Sequence, residues 1–172
     1  MIDVYDDCFN YATLQSFCSF IQNSNFYTDA TDFVLRKDDS VHKSNIRSKY
    51  SAEDMRNMGW FDTPFYQTLC QKYGIDRKQI LNCLVNCVTS ADYNVIHTDG
   101  GHLTVILFAN LDWKLEWGGH LLFMNKQKTE AEKTVLFKPN RVVVFDGELP
   151  HAAMTPNGCC PYFRYTYAVQ YK

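Results

Sequence analysis

From residue 80 onward the chain has no room for a long helix. Eight short runs rich in β-branched and aromatic residues follow one another, separated by Gly, Pro, Asn and Asp. They are ILNCLVNCV (80–88), YNVIH (93–97), LTVILFANL (103–111), GHLLFMN (119–125), TVLFKP (134–139), RVVVFDG (141–147), PHAAMT (150–155) and YFRYTYAVQY (162–171). No useful helical spacing intervenes, so these runs must pair with one another and close into a sandwich or a barrel.

The amino-terminal part reads differently. In NYATLQSFCSFIQN, Leu14, Phe17, Cys18 and Ile21 recur at i, i+3, i+4 and i+7, the one-sided stripe of an amphipathic helix. In DTPFYQTLCQKYG, Thr63 is an N-cap, Pro64 takes the first helical position and Gly74 follows the last turn, the start and stop chemistry of a short helix. Between these helices, residues 35–62 are polar and aperiodic and end in Trp60 and Phe61, which reads as a mobile lid with exposed aromatics. A chain of 172 residues that is 46% apolar can bury a proper core. The expectation is one domain over 1–172, with 1–79 as helical support and lid and 80–172 as the β-rich core.

Charge and composition exclude several partners. The formal net charge is -2 and Lys and Arg are scattered, which gives no footprint for nucleic acid or an anionic membrane. Arg36, Lys37, Lys43, Arg47 and Lys49 have Asp38, Asp39, Glu53 and Asp54 among them and form a solvated mixed-charge face. No apolar run approaches the roughly 20 residues that span a bilayer, and the start MIDVYDDCF is acidic where a secretory signal is basic. Seven cysteines without a CxxC pair suit reduced, mostly buried thiols and hence a cytoplasmic protein. The vicinal pair Cys159 and Cys160 is read as loop thiols, although adjacent thiols can also sense redox state or take a soft metal.

Chemistry concentrates where the second run meets a double glycine. Strand side chains at i and i+2 leave the same face, so His97 and Asp99 can grip one object if the strand persists. An imidazole and a carboxylate suit a divalent metal, and His151, at the start of the seventh run, is the candidate third ligand. Two histidines and one carboxylate leave coordination positions open, as in non-haem iron(II) oxygenases, whereas a structural zinc site closes its shell with four protein ligands. His42, His102 and His120 read as surface or turn residues. Arg164 stands in an uncharged, aromatic strand, where a buried guanidinium needs an anion, and Thr166 shares its face.

These residues resemble the iron(II) and 2-oxoglutarate-dependent oxygenases, specifically the prolyl-4-hydroxylase-like branch, from about residue 80 to the end. The resemblance rests on HTD, on LTVILFANLDWKLEWGGHLLF with its N..W....GG..L pattern, on His151 and on RYT, all in the family's order. It implies a double-stranded β-helix, or jelly roll, of eight core strands. It further implies that His97, Asp99 and His151 hold Fe(II), and that Arg164, with Thr166, binds the distal carboxylate of 2-oxoglutarate. O2 is then the second cosubstrate and ascorbate the supporting reductant. Hypoxia-sensing relatives carry a tyrosine where this chain has Phe108, and Tyr93, four residues before His97, is the candidate substitute. His120 stands where many relatives have Glu. The amino-terminal part reads as too short for the peptide-binding domain of collagen prolyl hydroxylases, so collagen is not the expected substrate. The expected activity is hydroxylation of an unactivated C–H bond, of a prolyl residue in a peptide or protein before a free amino acid or other small molecule. A non-catalytic jelly-roll binding module is the alternative.

Overall fold

The computed structural model describes residues 1–28, 46–92 and 95–172. Ten strands and three α-helices lie within these residues: β1 (Ile2–Tyr5), α1 (Tyr11–Gln22), β2 (Tyr27–Thr28), β3 (Ile46–Tyr50), α2 (Ala52–Asn57), α3 (Pro64–Tyr73), β4 (Ile80–Val88), β5 (Leu103–Phe108), β6 (Leu121–Met124), β7 (Ala131–Val135), β8 (Val142–Asp146), β9 (His151–Ala153) and β10 (Arg164–Tyr171). A seven-stranded sheet runs β1-β8-β5-β10-β4-β3-β2, and a three-stranded sheet runs β7-β6-β9. The chain passes repeatedly between the two sheets, which is the jelly roll expected from the spacing of the runs. Six of the eight runs contain β4, β5, β6, β8, β9 and β10, whereas the fifth, 134–139, shares only Thr134 and Val135 with β7. Of the run 93–97, residues 93 and 94 lie outside those described, and His97 forms an isolated antiparallel bridge with His151.

Alternation along the large sheet divides the core in two. Leu103, Val105 and Leu107 of β5, Val142 and Val144 of β8, and Tyr167, Val169 and Tyr171 of β10 meet Leu14, Phe17, Cys18 and Ile21 of α1 and Leu69 of α3. From the other face Ile106, Phe108, Val143, Phe145 and Ala168 meet Leu121, Phe123, Val135 and Phe137 between the sheets. Burying each large apolar side chain contributes about 1.5–3 kcal/mol, so both layers are substantial.

The cap read from sequence for α3 is present, with Thr63 accepting from Tyr66 N, and α1 has a cap not singled out from sequence, Asn10 accepting from Thr13 N. Gly74 ends α3 at φ 66, a left-handed position at which glycine carries no Cβ penalty. The expectation of an irregular segment with exposed aromatics over 35–62 needs correction. Residues 35–45 lie outside those described, but 46–62 form β3, a six-residue α2 with a Ser51–Asp54 capping box, and a 3-10 turn at Trp60–Asp62. Trp60 and Phe61 are buried rather than exposed, because Trp60 packs on Phe9, Phe17 and Tyr167. Elements this short show no period, so only tertiary contacts reveal the burial.

All seven cysteines are unpaired. Cys18, Cys83 and Cys87 are buried, and desolvation pushes the Cys18 thiol up to about 12 and those of Cys83 and Cys87 up to about 11. Such thiols are inert packing groups. Cys159 is exposed in the loop between β9 and β10, and the backbone N–H of Cys159 donates to Asn157 Oδ1. Among the described residues no helix is long and apolar enough to cross a membrane.

Candidate active site

His97, Asp99 and His151 converge at one end of the space between the sheets, with one potential ligand atom from each within 4.8 Å of the others. The convergence is not produced by strand alternation, as the sequence suggested. His97 and His151 exchange both backbone hydrogen bonds, N to O at 3.0 and 2.9 Å, which brings their rings to a centroid separation of 4.5 Å. Beyond this bridge the chain turns, and Asp99 N–H donates to Gly147 O at 2.8 Å. That close approach requires glycine at 147, because a Cβ there would overlap the carbonyl of Gly101.

Hydrogen bonds set the tautomer of both imidazoles. His97 Nδ1 donates to Val95 O at 2.9 Å and His151 Nδ1 to Leu149 O at 2.8 Å, so each Nε2 is left as the basic, ligating nitrogen. Those Nε2 atoms lie 3.6 Å from Asp99 Oδ1 (His97) and 3.6 Å from Asp99 Oδ2 (His151). Burial is graded, with the His97 side chain 49% exposed and that of His151 4%. Burial lowers the pKa of His151, outweighing the opposing pull of Asp99, and so favours the neutral imidazole a metal needs. Two neutral nitrogens and one carboxylate oxygen fit a divalent ion such as Fe(II) and leave positions for other ligands.

Arg164 opens β10 on the face toward the space between the sheets, and its side chain is fully enclosed. Nε donates to Gly119 O at 2.6 Å, but Nη1 is buried with no hydrogen-bond partner among the described residues. The guanidinium lies 5.7 Å from the centroid of Phe108 and 5.1 Å from that of Phe137, which stack on each other at 4.5 Å and 4°. Burial pushes its pKa down to about 9. A cation held this way has no anion among the described residues, and a carboxylate is the natural complement. Thr166, also buried, follows two residues on along the same face.

Of the other residues singled out from sequence, Tyr93 lies outside those described. His120 is not part of the metal cluster: its Nδ1 accepts from Phe137 N, and burial together with Arg164 lowers its pKa. Trp113 packs on Phe137 and Trp117, and its indole N–H donates to Gly118 O. Sequence reasoning missed Thr104, whose Oγ1 donates to Asp99 Oδ2 at 2.6 Å, and Gly119, where a Cβ would stand 3.1 Å from Arg164 Cδ. The signal for Thr104 was a lone hydroxyl inside the apolar run LTVILF.

Comparison with known proteins places this geometry. The family profile described as the 2OG-Fe(II) oxygenase superfamily matches residues 83–171, just over half of the chain. Among solved structures, a prolyl hydroxylase from Trichoplax adhaerens, in complex with a hypoxia inducible factor oxygen degradation domain peptide fragment, is similar at 16% identity. Its TM-score is 0.69, and the match covers 99% of this chain and 82% of that one. A Pseudomonas putida prolyl-4-hydroxylase is similar at 14% identity and TM-score 0.66, covering 99% of this chain and 92% of its own. The non-heme alpha ketoglutarate dependent epimerase SnoN from nogalamycin biosynthesis is similar at 9% identity and TM-score 0.65, covering 98% and 78%. At these identities the structural likeness speaks for the fold. No curated protein matches the chain by sequence.

Proposed function

Because the chain belongs to the 2OG-Fe(II) oxygenase superfamily and is therefore an Fe(II)- and 2-oxoglutarate-dependent dioxygenase, we propose that it hydroxylates a prolyl residue of a peptide or protein. We further propose that His97, Asp99 and His151 hold the iron, that Arg164 with Thr166 binds the distal carboxylate of 2-oxoglutarate, and that residues 1–79 and 80–172 act as one oxygenase domain. The observation that carries the site assignment is the pairing of a three-ligand cluster within 4.8 Å with a buried guanidinium whose Nη1 has no partner among the described residues. The non-catalytic module left open by the sequence is set aside by family membership.

Fe(II) held by His97, Asp99 and His151 would supply the oxidising power, so that of the two atoms of O2 one would enter the C–H bond and the other the succinate formed from 2-oxoglutarate with loss of carbon dioxide. The residues do the rest. Val95 and Leu149 carbonyls hold each histidine with Nε2 toward the metal position. Thr104 holds Asp99. Arg164 neutralises the cosubstrate's far charge inside a wall of Phe108 and Phe137 that excludes water and strengthens the pairing. His97, the exposed ligand, marks the side open to solvent, from which a large substrate has access.

Support for a prolyl substrate comes from the likeness to two prolyl hydroxylases over nearly the whole chain. The similarity to an epimerase keeps a small-molecule substrate as the second reading. Incubation with Fe(II), 2-oxoglutarate and ascorbate across prolyl peptides should release succinate and add the mass of one oxygen atom at proline. Oxidation of free amino acids or other metabolites, with every prolyl peptide unchanged, overturns the prolyl assignment.

A further inference from the structure

The strand face that begins with Arg164 and Thr166 continues through Ala168 and ends in a second buried polar side chain, Gln170, which is 7% exposed. Register gives this face four rows. Arg164 stands beside Val88; Thr166 beside Asn86 and Phe108; Ala168 beside Leu84 and Ile106; Gln170 beside Asn82 and Thr104. Polar groups therefore occupy both ends, with an apolar row of Ala168, Leu84 and Ile106 between them. Asn82 Nδ2 donates to Gln170 Oε1 at 2.8 Å, which occupies the acceptor end of the carboxamide. The donor end, Nε2, makes no hydrogen bond among the described residues. Thr104, the cross-strand neighbour of Gln170, holds Asp99.

Arg164 Nη1 is thus an enclosed donor without an acceptor among the described residues at one end of this face, and at the other end, beside the Thr104 that holds Asp99, Gln170 presents a carboxamide whose oxygen alone is engaged. A buried donor is destabilising until an acceptor arrives. Six residues of strand span roughly 20 Å, a distance that two long side chains shorten from both ends. 2-Oxoglutarate has the matching pattern: a carboxylate, two methylenes, and a keto acid. We propose that Gln170 is a further cosubstrate-binding residue, whose Nε2 donates to an oxygen of the keto acid end, with Asn82 as its positioning residue. This rests on the assignment of the metal ligands and Arg164 above.

The test compares 2-oxoglutarate with succinate, which keeps a carboxylate and two methylenes but lacks the keto group. Anaerobic titrations of the Fe(II)-loaded protein, followed by calorimetry and by the visible absorption of the ferrous 2-oxoglutarate complex, are made on wild type, Gln170→Met and Gln170→Glu. The Glu variant preserves shape and the acceptor for Asn82, so it remains informative if Gln170→Met folds poorly. The expected result is a loss of 2-oxoglutarate affinity of about tenfold or more in both variants, with a shifted absorption band and succinate affinity within about twofold of wild type. Unchanged 2-oxoglutarate affinity, or an equal loss for both ligands, overturns the role of Gln170. A wild-type protein that binds neither Fe(II) nor 2-oxoglutarate overturns the site assignment as well, and is told apart by failing before any variant is compared.

Discussion

Thr104 Oγ1 donates to Asp99 Oδ2 at 2.6 Å from a position with no solvent exposure. A hydroxyl buried on a β-strand has no other reason to face a carboxylate so closely, and the bond fixes how Asp99 presents its oxygens to the two imidazoles. Replacing Thr104 by the near-isosteric Val should cost metal affinity about 10–100-fold while leaving the thermal midpoint of the metal-free protein nearly unchanged. Thr104→Ser should restore most of the affinity. Co(II) titration followed by its visible spectrum checks this, and a Val variant with wild-type affinity and spectrum would remove Thr104 from the site.

The two histidines should fail in the same way as ligands and differently as parts of the fold. His97→Ala and His151→Ala each leave two ligands and should abolish Fe(II) binding. His151, however, is 3% exposed and packs against Phe145 and Phe123 with ring centroids at 4.7 and 6.1 Å, so its truncation should cost about 2 kcal/mol or more of metal-free stability. The His97 side chain is half exposed, and its truncation should stay within about 0.5 kcal/mol. Urea unfolding of the two apo variants reads the difference, and equal losses would contradict the burial argument.

How much of this was readable from the chain depends on the range over which each signal acts. The start and stop of α3 are local chemistry, and Thr63 and Gly74 perform as their types predict. The three candidate ligands and Arg164 were visible by residue type and order, and the described structure brings His97, Asp99 and His151 together. What escaped was whatever depends on register. Thr104 and Gln170 are polar residues in apolar strands, but only the pairing of β5 and β10 sets them side by side. The route of convergence was also hidden, since a two-residue strand repeat was expected where a bridge and a turn are found. Trp60 looked exposed because its partners Phe9, Phe17 and Tyr167 are distant in sequence.

Gly119 should prove necessary for the guanidinium rather than for the metal. It adopts φ +73, and a Cβ would stand 2.9 Å from Trp113 Cζ2 and 3.1 Å from Arg164 Cδ. Gly119→Ala therefore meets both an unfavourable backbone conformation and a side chain locked by its bond to the Gly119 carbonyl. The cost should be about 1–3 kcal/mol of stability, with weaker 2-oxoglutarate binding and unchanged Fe(II) affinity, because no metal ligand contacts the added methyl. Parallel titrations of both ligands check this. Loss of metal affinity alone would show that the glycine acts elsewhere.

Cosubstrate binding should carry the titration of Arg164. Burial lowers its pKa from 12.5 to about 9 in the ligand-free protein, so below that pH the guanidinium is already charged and above it binding must draw a proton from solvent. A bound carboxylate favours the charged form and raises the pKa again. The sign follows: 2-oxoglutarate affinity is flat from pH 7 to 8, bends near pH 9, and then falls by up to about tenfold per pH unit, since the ligand itself remains a dianion throughout. Arg164→Gln should bind weakly at every pH and lose the bend. Affinities measured across this range on both proteins decide the matter: a bend present in Arg164→Gln as well would assign the proton to another group, and its absence from wild type would mean that Arg164 does not face the cosubstrate's charge.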